Sequence, residues 1–415
     1  MSASPNRGQL NLPVIDISSF ISWPSPEVNN ITNSEAAKDD EKDGDKNHPQ
    51  AHLPNPATAA DLTPAQRTTI AALRAAVRHP GFFYLTGHGV PHELMQRVLD
   101  LGRQFYTPDN EGTLPNKRAI ARRPCGDRYG DGARGWQDVD ALARNDWHEA
   151  LDLYAEIDGA DEVAAHRAFK ASRSDVWPGV EGLLEGGNLY PARPAAMRDV
   201  LPGYVARLCA VGEAVMRALG FALELRDPEF FVGATRDSFW CLRVLGYPPL
   251  PPAFRKKADA VDDDDDEEDD EEDEEMVGCG AHSDYGCLTM LLTDETPGAL
   301  KVRVAGGEGE KETDEEKQTE EQWVDADPLP GAYVVNIGDM VEQWTGRWAT
   351  STVHKVLHAG DDYRISVPFF YEPAKHVVVR RLPEFGGTDA DPEVRYWDHL
   401  VSKIDGSFFR KRTNW

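Results

Sequence analysis

Fourteen consecutive acidic residues, Asp262 to Glu275, constrain the fold of this chain more than any other stretch. Unpaired charges of one sign cannot enter a core, because desolvating each is prohibitive. The run therefore reads as a solvated insertion between two folded segments. Two weaker blocks share this character. Residues 306–322 hold eight acids against two lysines, and residues 27–50 hold seven against three. These blocks account for most of the net charge of −28, and the remaining body is close to neutral. A docking surface for a basic protein partner is the alternative reading of the tracts. Nucleic-acid binding would require a basic stripe, which the sequence does not show.

The chain between these blocks has the patterning of a folded enzyme-sized body. Leu12 to Ile17 is a short apolar run that predicts a strand. Residues 21–60 lose periodicity and predict a disordered insertion. Thr63-Pro64-Ala65-Gln66 is a capping box with proline at the first helical position. The helix it opens should bury Ile70, Leu73 and Val77 and stop at Pro80-Gly81. Phe82 to Leu85 predicts a buried strand that ends in a Gly87-His88-Gly89 turn, where His88 reads as structural. A second helix follows Pro91, with Leu94, Val98 and Leu101 on one face. Tyr106 to Ala155 reads as loops and short elements around Arg134-Gly135-Trp136. Residues 200–220 predict a strong helix, and Phe239 to Tyr247 a strand ended by Pro248-Pro249. From Trp323 to Tyr371 short β segments alternate with turn signals, which argues for a sandwich or barrel. Residues 391–404 predict a last helix, with Val394, Trp397 and Val401 on one face.

Five cysteines form no Cys-x-x-Cys pair, and their odd number precludes full pairing within one chain. Reduced thiols in a cytoplasmic protein is the simplest expectation. The N-terminus lacks an apolar signal-peptide region, and no apolar run reaches membrane-spanning length.

Chemistry concentrates in Gly278 to Leu292. In an extended backbone, His282 and Asp284 point to the same side, because side chains alternate with period two. Both can reach one metal ion. A second imidazole would complete the two-His, one-carboxylate set of non-heme Fe(II) oxygenases. His354 and His358 are the candidates. His354 lies in the strand-like Ser351 to Val356 and is preferred, since His358 stands where the chain should be turning. Arg364 and Ser366 share a face. A tight turn at 359–362 would make a hairpin that brings Arg364 across from His354. A guanidinium there could grip a carboxylate bidentately, with the Ser366 hydroxyl as a further donor. Tyr247, at a strand end, could donate to the same ligand. Asn336 to Asp339 reads as a turn, with Asp339 structural.

In this order the motifs resemble the Fe(II)- and 2-oxoglutarate-dependent dioxygenases of the isopenicillin N synthase-like family. Leu12-Pro13-Val14-Ile15-Asp16 is similar to the family's opening strand. Gly81 to Val90 resembles its N-terminal motif, and Arg243 to Pro249 its Arg-x-x-x-Tyr-Pro strand. Gly280 to Gly286 carries His-x-Asp. Val335 to Met340 precedes the late His354, and Arg364-x-Ser366 closes the set. Two departures stand out. The long gap from His282 to His354 is explained by the acidic segment at 306–322. Leu245 stands where relatives often have Asn, which removes one co-substrate contact.

The resemblance implies a mainly β fold with flanking helices and a distorted double-stranded β-helix, or jelly roll, at its core. The expected organisation is an N-terminal strand region at 1–20, the insertion at 21–60 and a helical region at 61–235. The jelly roll would span 236–375, with acidic insertions at 259–275 and 306–322, followed by a C-terminal helical region at 376–415. His282, Asp284 and His354 would hold Fe(II). Arg364, Ser366 and Tyr247 would hold 2-oxoglutarate, and O2 would be the oxidant. The expected reaction oxidises a C–H bond of a small organic molecule, with release of succinate and CO2. Trp136, Phe239 and Trp344 would line the substrate pocket, although each suits a core position equally. The expected assembly is a monomer, with no nucleic acid and no membrane. Two rival readings remain: an oxidase or cyclase like isopenicillin N synthase that does not use 2-oxoglutarate, and a non-catalytic metal-binding interaction protein.

Overall fold

The computed structural model describes residues 12–21, 58–107, 113–125, 131–139, 146–157, 167–168, 184–250, 278–305, 321–358 and 360–404. The acidic run at 262–275 and most of the segments 21–60 and 306–322 lie outside them. The edges that are described are ordered: Ala59–Asp61 is a helical turn, and Glu321 and Gln322 begin a strand.

Two sheets face one another. The larger has eight strands. These are β1 (Val14–Asp16), β2 (Phe82–Thr86), β3 (Gly135–Gln137), β4 (Glu149–Tyr154), β5 (Cys241–Tyr247), β7 (Leu288–Thr293), β10 (Tyr333–Ile337) and β12 (Arg364–Tyr371), in the order β1-β2-β10-β7-β12-β5-β4-β3. The smaller has β6 (Cys279–His282), β8 (Leu300–Ala305), β9 (Glu321–Asp325) and β11 (His354–Val356), in the order β6-β11-β8-β9. Among the strands of the described residues only β1 and β2 pair in parallel; the other ladders are antiparallel. A two-stranded ribbon, β13 (Val378–Val379) with β14 (Val394–Arg395), lies outside both.

Alternation along each strand divides the large sheet into two faces. Register places Phe82, Asn336, Thr289, Ser366, Leu245 and Ala150 on one face, toward the small sheet. The inter-sheet core there includes Phe82, Leu245, Tyr247, Val302, Val324 and Val334. The opposite face presents Phe83, Val335, Met290, Ile365, Val244 and Leu151 to a larger core shared with the helices. Those helices are α1 (Pro64–Arg78), α2 (His92–Tyr106), α3 (Thr113–Ala119), α4 (Met197–Ala222), α5 (Phe230–Thr235), α6 (Asp339–Trp344) and α7 (Tyr396–Ile404). The expected capping box opens α1: Thr63 accepts from the Gln66 backbone, and the Gln66 side chain accepts from the Thr63 backbone.

Four expectations need correction. His354 and Arg364 are not hairpin partners. β11 pairs with β6 and β8, whereas β12 pairs with β5 and β7, so the chain changes sheet between Val356 and Arg364. The segment read as loops and short elements contains β4, a six-residue strand of the large sheet that the sequence pattern does not single out and that is buried along nearly its whole length. Its Glu149 and Asp152 are buried and paired inside, which hides the apolar alternation of a strand. Asn336 and Ile337 end β10 rather than forming a turn. Val394 belongs to β14, and the last helix begins at Tyr396.

Candidate iron and co-substrate site

His282 ends β6, and His354 is its direct partner across the ladder with β11. Their rings stand 4.4 Å apart between centroids. Asp284 follows two residues after His282, in the loop that enters β7. One of its oxygens, Oδ1, lies 3.7 Å from His282 Nε2 and 3.8 Å from His354 Nε2. One ligand atom from each of the three residues lies within 4.8 Å of the others.

The surroundings orient all three toward a common point. His282 Nδ1 donates to the Gly280 carbonyl at 2.8 Å, and His354 Nδ1 to that of Thr352 at 3.1 Å. Each ring thereby keeps its Nε2 lone pair for a metal, the arrangement that usually supports a ligating histidine. Asp284 Oδ2 accepts from Thr289 Oγ1 and, at 2.7 Å, from Asn336 Nδ2. This leaves Oδ1 turned toward the imidazoles. Phe82 packs edge-on against His354 at 5.3 Å.

Electrostatics agree with this geometry at Asp284 and His354. At His282 burial opposes the charge, but Cys279 and Asp284 outweigh it and push the imidazole up to about 10, so a metal would have to displace that proton. Burial works against an ionised Asp284. The two imidazoles and the bonds from Thr289 and Asn336 outweigh it, and the carboxyl titrates below its ordinary value. Burial, reinforced by His282, holds His354 below the usual imidazole range, so it presents a neutral lone pair. An imidazole–imidazole–carboxylate set suits Fe(II).

Arg364 opens β12 directly opposite Tyr247 of β5. Its guanidinium carbon is 4.9 Å from the Tyr247 ring centroid. Nη2 donates to Thr293 Oγ1 at 3.1 Å, while Nε and Nη1 have no hydrogen-bond partner among the described residues although the residue is only 1% exposed. A buried cation with two unused donors is strongly unfavourable unless an anion meets it. Ser366 shares the face and stands opposite Thr293. Burial raises the Tyr247 phenol well above its ordinary pKa, so it is a neutral donor. These groups fit the distal carboxylate of a diacid. Leu245, opposite Ser366, is buried and offers no polar contact.

The structure separates other sequence candidates from this site. His358 Nε2 donates to the Asp362 carbonyl and is not part of the ligand cluster. His88 is structural: Nε2 donates to the Gly331 carbonyl at 2.9 Å, and Nδ1 accepts from Val90. Trp136 lies on the helix-facing side of the large sheet beside Leu151, with its indole donating to Glu149 Oε2 at 2.8 Å. Trp344 packs between Phe230 and Phe231, and Phe239 packs against Trp397. All three aromatics thus belong to the helix-side core rather than to the gap between the sheets. A cleft of about 1270 Å³, lined by residues such as Arg103, Asp294, Pro330 and Tyr363 and reaching Thr293, includes none of the three aromatics and none of the three ligand residues. Sequence reasoning missed Asn336, Thr289 and Thr293. The two threonines alternate along β7 and could have been found from strand parity; Asn336 was hidden by its resemblance to a turn residue.

Comparison with known proteins agrees with this geometry. Residues 260–373 match the 2OG-Fe(II) oxygenase superfamily, and residues 56–179 match the family described as non-haem dioxygenase in morphine synthesis N-terminal. A homoarginine-6-hydroxylase of Oryza sativa subsp. japonica is 33% identical over 350 residues, which cover 80% of this chain and 87% of that protein. The chain belongs to the 2OG-Fe(II) oxygenase superfamily. A second homoarginine-6-hydroxylase, from Glycine max, is 29% identical over 86% of this chain and 94% of its own length. Among solved structures, a full-length Neurospora crassa protein in complex with alpha-KG and thymine superposes with a TM-score of 0.63 at 18% identity, covering 98% of this chain and 99% of that one. The dioxygenase for auxin oxidation of rice gives a TM-score of 0.56 at 20% identity, covering 95% and 96%. These two likenesses concern the fold. As a member of this superfamily, the chain is a non-heme Fe(II)/2-oxoglutarate-dependent oxygenase with Fe(II) and 2-oxoglutarate as its cofactors.

Proposed function

We propose that this oxygenase hydroxylates a C–H bond of a small polar molecule, with His282, Asp284 and His354 as the iron ligands and Arg364, Ser366 and Tyr247 as the 2-oxoglutarate anchors. The observation that carries the reading is the convergence of the three ligand atoms within 4.8 Å on the gap between the sheets. When bound, iron and 2-oxoglutarate would supply the chemistry by which O2, the oxidant, attacks the C–H bond: 2-oxoglutarate would give two electrons and leave as succinate and CO2, with one oxygen atom of O2 in succinate and the other in the hydroxyl group. The chain's own residues supply position. Asn336 and Thr289 fix which Asp284 oxygen faces the metal. Backbone carbonyls fix both imidazole tautomers. Arg364 gives the co-substrate's far carboxylate a bidentate donor edge, and Thr293 holds that edge in place. The apolar inter-sheet core around these groups limits water near the reacting atoms.

The named relatives act on homoarginine, so amino acids carrying a guanidino group are the first substrates to try. The reading is tested at Arg364. Arg364→Gln should raise the KM for 2-oxoglutarate on the order of 30-fold or more, the usual consequence of removing one partner of a buried charge pair. Its iron content should match the wild type. An unchanged KM would show that the diacid binds elsewhere.

A further inference from the structure

The inner face of the large sheet carries a second polar cluster that neither the iron nor 2-oxoglutarate uses. Arg243 of β5 stands directly opposite Asp152 of β4, and its Nε donates to Asp152 Oδ1 at 2.7 Å. Gln137 of β3 donates through Nε2 to Asp152 Oδ2 at 2.7 Å, and Arg122 donates through Nη1 to Gln137 Oε1 at 3.0 Å. Both Asp152 oxygens are therefore engaged, and only one of them touches Arg243. The Nη2 of Arg243 is buried and has no hydrogen-bond partner among the described residues. Its side chain as a whole is 22% exposed, while Nη2 itself is buried.

Strand parity shows where this group points. Arg243, Leu245 and Tyr247 alternate onto the face that looks toward the small sheet and its two histidines. Arg243 is four residues from Tyr247, and hence about 13 Å along the strand from the Arg364 level. One 2-oxoglutarate, a five-carbon diacid anchored at Arg364, is too short to reach both guanidiniums. Asp152 holds Arg243 by its Nε, which leaves the buried Nη2 outside the clamp. A planar guanidinium fixed in this way matches a carboxylate in shape and charge.

The geometry points to Arg243 as the residue that seats a carboxylate of the molecule being oxidised, with Asp152 and Gln137 holding the guanidinium in place. The substrate class is then small carboxylic acids, amino acids included. This inference rests on the oxygenase reading above and narrows its substrate. Asp152, Gln137 and Arg122 act through Arg243 and are positioning residues.

The test uses the full chain with Fe(II) and follows succinate formation from 2-oxoglutarate. The probes are L-homoarginine, L-arginine and a set of aliphatic and aromatic carboxylic acids, each beside its primary carboxamide. At least one acid should accelerate succinate formation with a kcat/KM about tenfold or more above that of its amide, since a built polar site rejects analogues lacking the matching group. Arg243→Gln should abolish that discrimination mainly through KM, and Arg243→Lys should restore part of it. Protection of the Arg243→Gln variant by 2-oxoglutarate against thermal unfolding should match the wild type, which shows that the fold and the Arg364 anchor persist. Stimulation by no acid, equal stimulation by acid and amide, or full discrimination in Arg243→Gln would overturn the assignment while leaving the oxygenase reading intact. Failure of the wild type to form succinate at all would instead remove the oxygenase reading, and this inference with it.

Discussion

At the scale of single residues, the site depends on how the two oxygens of Asp284 are divided. Oδ2 is held by Asn336 and Thr289, and Oδ1 is left for the metal. Asn336→Ala removes one of those donors without touching a ligand. Iron affinity should fall about 10–100-fold, as is usual for outer partners of metal ligands. Titration of the apo-protein with Fe(II) under anaerobic conditions would read this directly; unchanged affinity would mean that Thr289 alone positions the carboxylate. The three ligand residues could be read in the sequence because His-x-Asp and a later strand-borne His have recognisable spacing. Asn336 could not, since its relation to Asp284 spans 52 residues and exists only once β10 and β7 are paired. The three aromatic residues offered as pocket walls failed for a related reason. Large aromatics serve core and pocket equally well, and only register shows that Trp136 faces the helices.

At the scale of elements, the metal loop is locked to the start of α6. The backbone N–H of Asp339 donates to the Asp284 carbonyl at 2.8 Å, and those of Gly338 and Met340 to the carbonyls of Cys287 and Gly286. This approach requires glycine at 338, where an added Cβ would overlap the Gly286 carbonyl oxygen. Backbone on both sides of the overlap leaves little room for relief. Gly338→Ala should therefore destabilise the fold by about 1–3 kcal/mol, the usual range for overpacking, and should weaken iron binding in the same variant. Chemical denaturation with and without iron would check both. Strands with apolar alternation, such as β2, β5 and β12, were legible in the sequence. β4 was not, because its Glu149 is paired with Lys117 and accepts from Trp136 and Tyr363, and its Asp152 is paired with Arg243 and accepts from Gln137. Strand pairing was the hardest feature to foresee. A short connection between two β segments suggests a hairpin, yet here it carries the chain from one sheet to the other.

At the scale of the whole molecule, the family, the jelly roll and the iron chemistry were visible in the order of motifs, whereas the substrate was not. Global stability offers an independent check on the charge environment of the site. Glu372, just past the end of β12, is buried, and its Oε2 has no hydrogen-bond partner among the described residues. Burial lifts its pKa to about 8, despite a hydrogen bond with Tyr396 that lowers it, and the charges of Asp284 and Asp339 add to the rise. In the unfolded chain this carboxyl ionises near its ordinary value of 4.5. Between those two values the folded protein holds a proton that the unfolded chain has lost. Stability contributed by this group therefore falls as pH rises through the window. In the iron-free protein, Glu372→Gln should flatten the melting temperature against pH from about 5 to 8 and raise it most at the alkaline end. Parallel curves for the two proteins would show that Glu372 ionises normally.

Succinate formation from 2-oxoglutarate by the purified chain, measured against bound iron in the wild type and in His282→Ala, Asp284→Ala and His354→Ala, tests the central claim most directly. The wild type should bind one iron per chain and form succinate, slowly without substrate. Each substitution should remove both properties, because two remaining ligands leave the ion poorly held. Retention of iron and turnover in any of the three would contradict the assignment of that residue as a ligand, and retention in all three would place the metal centre elsewhere in the molecule.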